Sequence, residues 1–253
     1  MITLLKCEFL KTRHCHVLLT SLAVTVLGLC WGLYGNYTDV LLKHGWRMFL
    51  YQLPLVNAIF LPLLAMLVAS RLCGIEHKGD MLKGLCCMVP RGKFYHAKLL
   101  YGLGILTVCT VIMWSVTVAF GIYKGFQGDF PVRLYLLYLL FTLIPTMVIF
   151  ILQYTLSLVF KNQAIPFSVG ILGEFAGLFS MFLPQIPLLR KCVLWGYYGT
   201  LQFVGMFGWS KDTRYASVHF DVLPLDWFSF GALIAAGVAL YFIGRYLFIK
   251  KEV

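Results

Sequence analysis

One carboxylate lies deep inside a long apolar run of this 253-residue chain. Glu174 falls near the middle of residues 164–183 and is the only charged side chain in that run. A charged group at the depth of a bilayer is costly, so Glu174 is a candidate functional residue, able to attract a cation or to donate a hydrogen bond when protonated. The alternative is a neutral packing residue, bonded to a polar neighbour such as Gln153. The sequence leaves both interpretations open.

Three glycines accompany Glu174 on the same predicted helix, namely Gly170, Gly173 and Gly177. Gly173 and Gly177 have the Gly-x-x-x-Gly spacing that lets a second helix approach closely. We therefore expect another helix to pack on this side of residues 164–183. Packing within one subunit and a seam between two subunits are both compatible with this spacing.

A second group of charged residues lies in residues 70–98, between two long apolar runs. Apolar side chains inside it recur at helical spacing and are followed by Pro90, which ends a helix. The pattern predicts an amphipathic helix over residues 74–90 that docks into a soluble partner. We expect Glu76 to orient this helix through a charge-assisted bond to a lysine or arginine. Its apolar face consists of Met81, Leu82, Leu85, Cys86, Met88 and Val89.

Motifs for nucleotide or metal binding are absent from the sequence. It has no Gly-x-x-x-x-Gly-Lys-Ser/Thr string, and its cysteines and histidines show no paired spacing of the zinc kind. An intramembrane protease or acyltransferase normally needs two or more facing ionisable groups at membrane depth, and only Glu174 is there. These observations disfavour an enzyme and predict that the chain itself binds no cofactor and no metal.

The composition predicts a membrane protein. Hydrophobic residues make up 60% of the chain and charged residues 12%, whereas about a quarter of a soluble domain is charged. The net charge of +11 is distributed between apolar runs rather than over one soluble face, which argues against nucleic-acid binding. We predict an all-α, polytopic membrane protein with one domain over residues 1–253.

Six transmembrane helices account for the apolar runs. Residues 1–16 indicate an interfacial helix, and residues 184–226 an external segment whose first half forms re-entrant or interfacial helices. Basic residues are more numerous on the side of the termini, which places both termini and residues 70–98 in the cytoplasm. The predicted spans are residues 17–34, 49–69, 99–123, from after 133 to about 160, 164–183 and 227–249.

The order of these features resembles the permease subunits of ABC exporters of the ABC-2 kind. The length, the single domain and the N-terminal run Leu-Leu-Lys-Cys-Glu-Phe-Leu-Lys resemble, more narrowly, the permeases of lantibiotic-immunity transporters. The features that carry the broad resemblance are a long apolar span, Glu76, Lys78-Gly79, an apolar helix, Pro90-Arg91, Phe94-Tyr95, and Lys98 opening the next span.

The resemblance implies partners and sites. Separate ATPase subunits would bind ATP and Mg²⁺ and push the helix of residues 74–90, and a second permease, identical or homologous, would complete the path through the lipid. The second and fifth spans line the boundary between two permeases in such exporters. Glu174, with Gly170, Gly173 and Gly177, is therefore expected at this seam, beside the substrate path. The expected ATPase contact comprises Glu76, Lys78, Met81, Leu82, Leu85, Met88, Val89, Pro90 and Arg91.

The function implied by the resemblance is ATP-driven expulsion of cationic, amphipathic antimicrobial peptides from a bacterial plasma membrane. Three alternatives remain open, and the last two belong to other functional classes. The exporter can serve another amphipathic substrate, such as a different antibiotic, a lipid or a drug. The chain can be an anchoring subunit without transport, or an intramembrane enzyme.

Overall fold

The computed structural model of the chain describes residues 2–35, 37, 39–77, 81–183, 186–209 and 218–251. Within these ranges the chain folds into α-helices, a short 3₁₀ turn (Leu194–Gly196) and one two-stranded sheet. The helices are α1 (Ile2–His14), α2 (Val17–Leu33), α3 (Asp39–Lys43), α4 (Gly45–His77), α5 (Met81–Met88), α6 (Arg91–Tyr123), α7 (Val132–Val159), α8 (Ala164–Phe182), α9 (Pro187–Cys192), α10 (Tyr197–Thr200) and α11 (Trp227–Lys250).

Five of the described helices, α4, α6, α7, α8 and α11, are long and apolar enough to cross a membrane. Helix α2 has 17 residues and meets α1 at an angle of 72°, and this bent pair supplies the sixth candidate span. The bend lies at His16, whose φ of 52° is in the left-handed region. The prediction of an all-α protein with several transmembrane helices is confirmed.

The number of crossings follows from where the two chain ends lie. Lys11 of α1 bonds to Glu76, and Arg91 bonds to the carbonyl oxygen of Lys251, so both ends of the described chain lie beside α5. A chain that begins and ends on one side crosses the membrane an even number of times. An even number of crossings is reached if α2 is the sixth candidate span, and its 17 residues are just long enough. We call this end of the bundle the α5 end.

Helices α4 and α6 extend well beyond their predicted spans. Each has 33 residues, or about 50 Å at 1.5 Å per residue, against a hydrocarbon layer of about 30 Å. Hydropathy marks where the lipid ends, whereas the backbone hydrogen bonds of both helices continue past that border. The predicted helix over residues 74–90 is corrected accordingly. Glu76 belongs to α4 and Arg91 to α6, and only α5 lies between them.

We call residues 184–226 the external segment, because they are predicted to lie outside the cell. Their described part contains helices and a hairpin. Helix α9, the 3₁₀ turn and α10 fall in its first half, as predicted. Two strands, β1 (Val204–Phe207) and β2 (His219–Val222), then pair in antiparallel fashion, with Val204 opposite Val222 and Phe207 opposite His219. The hairpin was not predicted, although valine and phenylalanine favour strands.

Helix α4 is the centre of the bundle and contacts α2, α6, α7 and α8. Two apolar clusters pack along it. The first lies towards the α5 end and includes Leu72, Tyr95 and Tyr154. The second lies at the opposite end, includes Trp46 and Phe49 of α4, and also holds Phe220 of the hairpin.

Candidate functional site

Four ionisable side chains meet where α1, α4 and α6 converge at the α5 end. Glu8 and Lys11 come from α1, Glu76 from the last turn of α4, and Lys98 from the second turn of α6. The Lys98 Nζ atom lies 2.6 Å from Glu8 Oε2 and 3.0 Å from Glu76 Oε1. The Lys11 Nζ atom lies 2.9 Å from Glu76 Oε1 and 3.5 Å from Glu8 Oε1. We call these four residues the charge cluster.

Helical spacing places the cluster members on facing surfaces. On α1, Glu8, Lys11 and Thr12 recur at i, i+3 and i+4, so they share one face. On α6, Lys98 and Tyr101 are three residues apart and share another. The Thr12 hydroxyl lies 2.6 Å from the Tyr101 hydroxyl, which extends the contact between the two helices by one turn. Helix α1 is thus attached to the bundle by polar contacts on one side.

The cluster is electrically balanced and almost completely withdrawn from solvent. The side chains of Lys98 and Glu76 are 0% exposed, and that of Glu8 is 5% exposed. Lys98 also donates to the Leu72 carbonyl oxygen at 3.1 Å, and its ammonium lies 5.4 Å from the centre of the Phe94 ring. Buried charges are tolerated only when they are paired and hydrogen-bonded. Each of the four groups has a partner of opposite charge here, and Lys11 is 25% exposed. The buried Oε2 atom of Glu76 has no hydrogen-bond partner among the described residues.

The other helix ends at the α5 end are bonded to one another. Arg91 donates to the carbonyl oxygens of Ile249 and Lys251, both at 2.8 Å, and so joins the start of α6 to the end of α11. The Lys251 ammonium donates to the Leu158 carbonyl oxygen at 2.9 Å. A ring nitrogen of His77 lies 2.9 Å from the Ser157 carbonyl oxygen. These bonds connect the ends of α4, α6, α7 and α11.

Helix α5 presents only part of its predicted apolar face outwards. Leu85 and Val89 are half-buried and pack against the apolar cluster of the α5 end. Met81 is 48% exposed and Met88 76% exposed, so these two form the outward part of the helix. Helix α5 is therefore an apolar surface held between the ends of the two longest helices.

The predicted ATPase contact also includes residues outside the outward face of α5. Pro90 is exposed and directly precedes α6. Lys78 lies outside the described residues, as does the side chain of Leu82. Glu76 does accept bonds from two lysines, but its side chain holds α1 rather than pointing to a partner. That these residues contact an ATPase stays a prediction.

The three glycines of α8 admit segments of the same chain. A Cβ atom on Gly170 would lie 1.9 Å from the Met66 sulfur on α4. On Gly173 and Gly177 it would lie 2.6 Å and 2.5 Å from Trp195, in the 3₁₀ turn of the external segment. The expected close approach is present, and within the chain its partners are α4 and the 3₁₀ turn. That these glycines lie at a seam with a second permease stays a prediction.

Glu174 lies at the edge of this packed face of α8. It is half-buried, and it is close enough to Tyr198 of α10 for the two groups to interact electrostatically. Leu172 is 69% exposed and Phe175 56% exposed, so an open apolar surface begins next to Glu174. Placement of Glu174 beside a subunit seam or a substrate path stays a prediction.

Sequence reasoning missed three members of the charge cluster. Glu8, Lys11 and Lys98 were attributed to the interfacial helix and to the start of a span. In the described part of the chain, no group of three His, Cys, Asp or Glu side chains is placed to hold a metal ion.

Comparison with known protein families gives one match. Residues 4–177 match the family described as ABC-2 family transporter protein. The matched range contains the charge cluster, α5 and Glu174, and it ends before the external segment. No curated protein matches the chain.

Proposed function

We propose that this chain, which belongs to the family of ABC-2 transporter proteins, is the permease of an exporter for cationic amphipathic peptides of the lantibiotic class. Membership of the family makes the chain a membrane component of an ABC transporter that associates with ABC ATPase subunits. The finer elements of the proposal are the contact surface for the ATPase, the direction of transport and the substrate.

The position of α5 is the observation that carries the proposal. The helix has eight residues, it begins four residues after α4 ends, and α6 starts three residues after it ends. A force applied to α5 therefore acts on the ends of α4 and α6 over very short connections. Both long helices are bonded to α1 through the charge cluster, so they would move together rather than separately.

The outward methionines of α5 suit a docking surface. Methionine adapts its shape to a partner, and it is enriched at the centres of protein interfaces. We place the α5 end in the cytoplasm, where an ATPase closing on ATP would press on Met81 and Met88. The six spans would then rock and open a membrane-facing path towards the outside.

A cavity at the opposite end supports an amphipathic substrate. It has a volume of about 380 Å³ and lies between the start of α4, the residues that follow α2, and the hairpin. Tyr34, Tyr51, Trp209 and Phe220 line it together with the polar side chain of Gln52. Aromatic rings with a few polar groups are typical of sites that bind molecules with one apolar and one polar face.

The experiment tests Met88→Glu in the full-length chain expressed with its ATPase. A charge at the centre of an apolar interface should weaken ATPase binding at least about tenfold, measured by co-purification and titration. Tyr123→Glu is the matched control, because Tyr123 is 82% exposed at the opposite end of the bundle. Equal ATPase binding by Met88→Glu and the wild-type chain would refute the docking surface.

The substrate is tested separately with the intact complex in vesicles. A fluorescent lantibiotic should leave the membrane when ATP is added, and it should not leave in the Met88→Glu complex. ATP-driven release of a different amphipath without release of the lantibiotic would refute the substrate and leave the permease intact.

A further inference from the structure

The outer face of α11 near the α5 end combines an apolar groove with the guanidinium group of Arg245. The groove has a volume of about 490 Å³ and is lined by Phe242, Ile243, Arg245, Tyr246 and Ile249. Four of these side chains are apolar or aromatic and 40–58% exposed. The buried Nε atom of Arg245 has no hydrogen-bond partner among the described residues. We infer that this groove binds one anionic phospholipid of the surrounding membrane.

The depth of Arg245 fits the phosphate level of a lipid. Arg245 follows Trp227 by 18 positions, which is about 27 Å along the helix axis. The hydrocarbon layer is about 30 Å thick, so Arg245 lies close to its border when Trp227 lies at the other one. A guanidinium group at this depth can reach a headgroup, while the acyl chains lie along Phe242 and Ile243 on the same face.

Among the described residues, the charge around the groove is positive. The Lys250 ammonium lies 4.6 Å from the centre of the Tyr246 ring, which borders the groove. The Arg245 guanidinium reaches the first turn of α6, because a Cβ atom on Gly92 would lie 3.8 Å from it. Lys93 follows Gly92 and is exposed. In the described chain, the acidic residues of this end, Glu8 and Glu76, are bonded to lysines inside the charge cluster.

Arg91 removes an obstacle to anion binding. The C-terminal end of a helix carries a partial negative charge on its last carbonyl oxygens, which repels a phosphate. At the end of α11, the carbonyl oxygens of Ile249 and Lys251 accept bonds from Arg91. The groove is thus left with a net attraction for phosphate. Basic grooves of transmembrane helices at a headgroup surface commonly bind anionic lipids.

The site is tested on the full-length chain in detergent, with lipid binding followed by native mass spectrometry. Phosphatidylglycerol is compared with phosphatidylcholine of the same acyl chains, and soluble glycerol phosphate serves as the probe without acyl chains. The wild-type chain should prefer phosphatidylglycerol about tenfold, because the basic side chains of the groove attract its anionic headgroup. Glycerol phosphate should not compete. Competition by glycerol phosphate would show an anion site rather than a lipid site and would overturn the inference.

Arg245→Gln should remove the preference while leaving the binding of phosphatidylcholine unchanged. Arg71→Gln is the matched control, because Arg71 is exposed on α4 near the same end of the bundle, outside the groove. An equal preference in the Arg245→Gln and wild-type chains would overturn the inference. If Arg245→Gln does not fold, two other variants test the inference. Arg245→Lys, which retains the charge, must keep the preference for phosphatidylglycerol, and Lys250→Gln must reduce this preference. Any other pattern in this second pair would also overturn the inference.

Discussion

Replacement of Lys98 by methionine should destabilise the protein more than any surface change near it. The variant keeps an unbranched side chain of similar length, so packing against Phe94 is largely retained. It leaves two buried carboxylates, Glu8 and Glu76, to share the single ammonium group of Lys11. Removing one partner from a buried ion pair typically costs about 3–5 kcal/mol, because the remaining charge is uncompensated.

The assay is thermal unfolding of the full-length chain in detergent, followed by tryptophan fluorescence. At roughly 2–4 °C per kcal/mol for a chain of this size, the expected drop in melting temperature is roughly 6–20 °C. Lys93→Met is the control, since Lys93 is exposed on the preceding turn of α6. Surface changes of this kind usually stay within about 0.5 kcal/mol. Equal melting temperatures of the Lys98→Met and Lys93→Met variants would refute the prediction.

The double variant Glu8→Gln/Lys98→Met separates charge balance from packing. It removes one charge of each sign and leaves the Lys11–Glu76 pair, whose atoms are 2.9 Å apart. The two changes should therefore be less than additive, with a coupling free energy of about 1–3 kcal/mol. Strict additivity would mean that the four groups do not act as one unit, even if each single variant is destabilised.

Three further predictions concern the rest of the molecule. Gly173→Leu should displace Trp195 and make the external segment more sensitive to protease, whereas serine at this position should have a smaller effect. If the charge of Glu174 attracts a cationic peptide, Glu174→Gln should abolish protection against that peptide while the complex stays intact. If only Glu174→Ala loses assembly of the complex, the role of Glu174 is structural. Bonds from Lys191 and Ser229 lower the pKa of Asp226 to about 2. The contribution of ionised Asp226 to the stability of the folded chain should therefore be complete above about pH 4 and be lost as the pH falls towards 2. Unfolding curves measured over this pH range should show this dependence in the wild-type chain and not in Asp226→Ala.

The transmembrane architecture could be predicted because a bilayer constrains sequence directly. Every backbone polar group must be bonded within a helix, and the side chains must be apolar over about 20 residues. The predicted span of residues 164–183 coincides with α8 (Ala164–Phe182), and the predicted third span ends with α6 at Tyr123. Helix ends outside the lipid have no such constraint. This is why α4 and α6 continue about two turns beyond the predicted spans at the α5 end.

The charge cluster could not be predicted because its four members come from three separate helices. The sequence gives the sign of each charge, but the distance between Glu8 and Lys98 depends on how α1 folds back at His16. One signal was present. Lys98 lies next to a long apolar run, where an unpaired lysine is costly, and a search for its partner among the carboxylates on the same side would have reached Glu8 and Glu76.

The packing of the bundle explains how a push on α5 would reach the opposite end. Helix α4 extends about 44 Å from Glu76 in the charge cluster to Arg47, which donates to the Phe220 carbonyl oxygen of the hairpin at 3.1 Å. One turn further in, the Tyr51 carbonyl oxygen accepts a bond from Gln202, two residues before β1. Close-packed helices have low compressibility and move as units. A displacement of the α5 end of α4 would therefore also move the hairpin and the aromatic cavity beside it. The proposed ATPase contact and the proposed substrate cavity are consequently connected by a single helix.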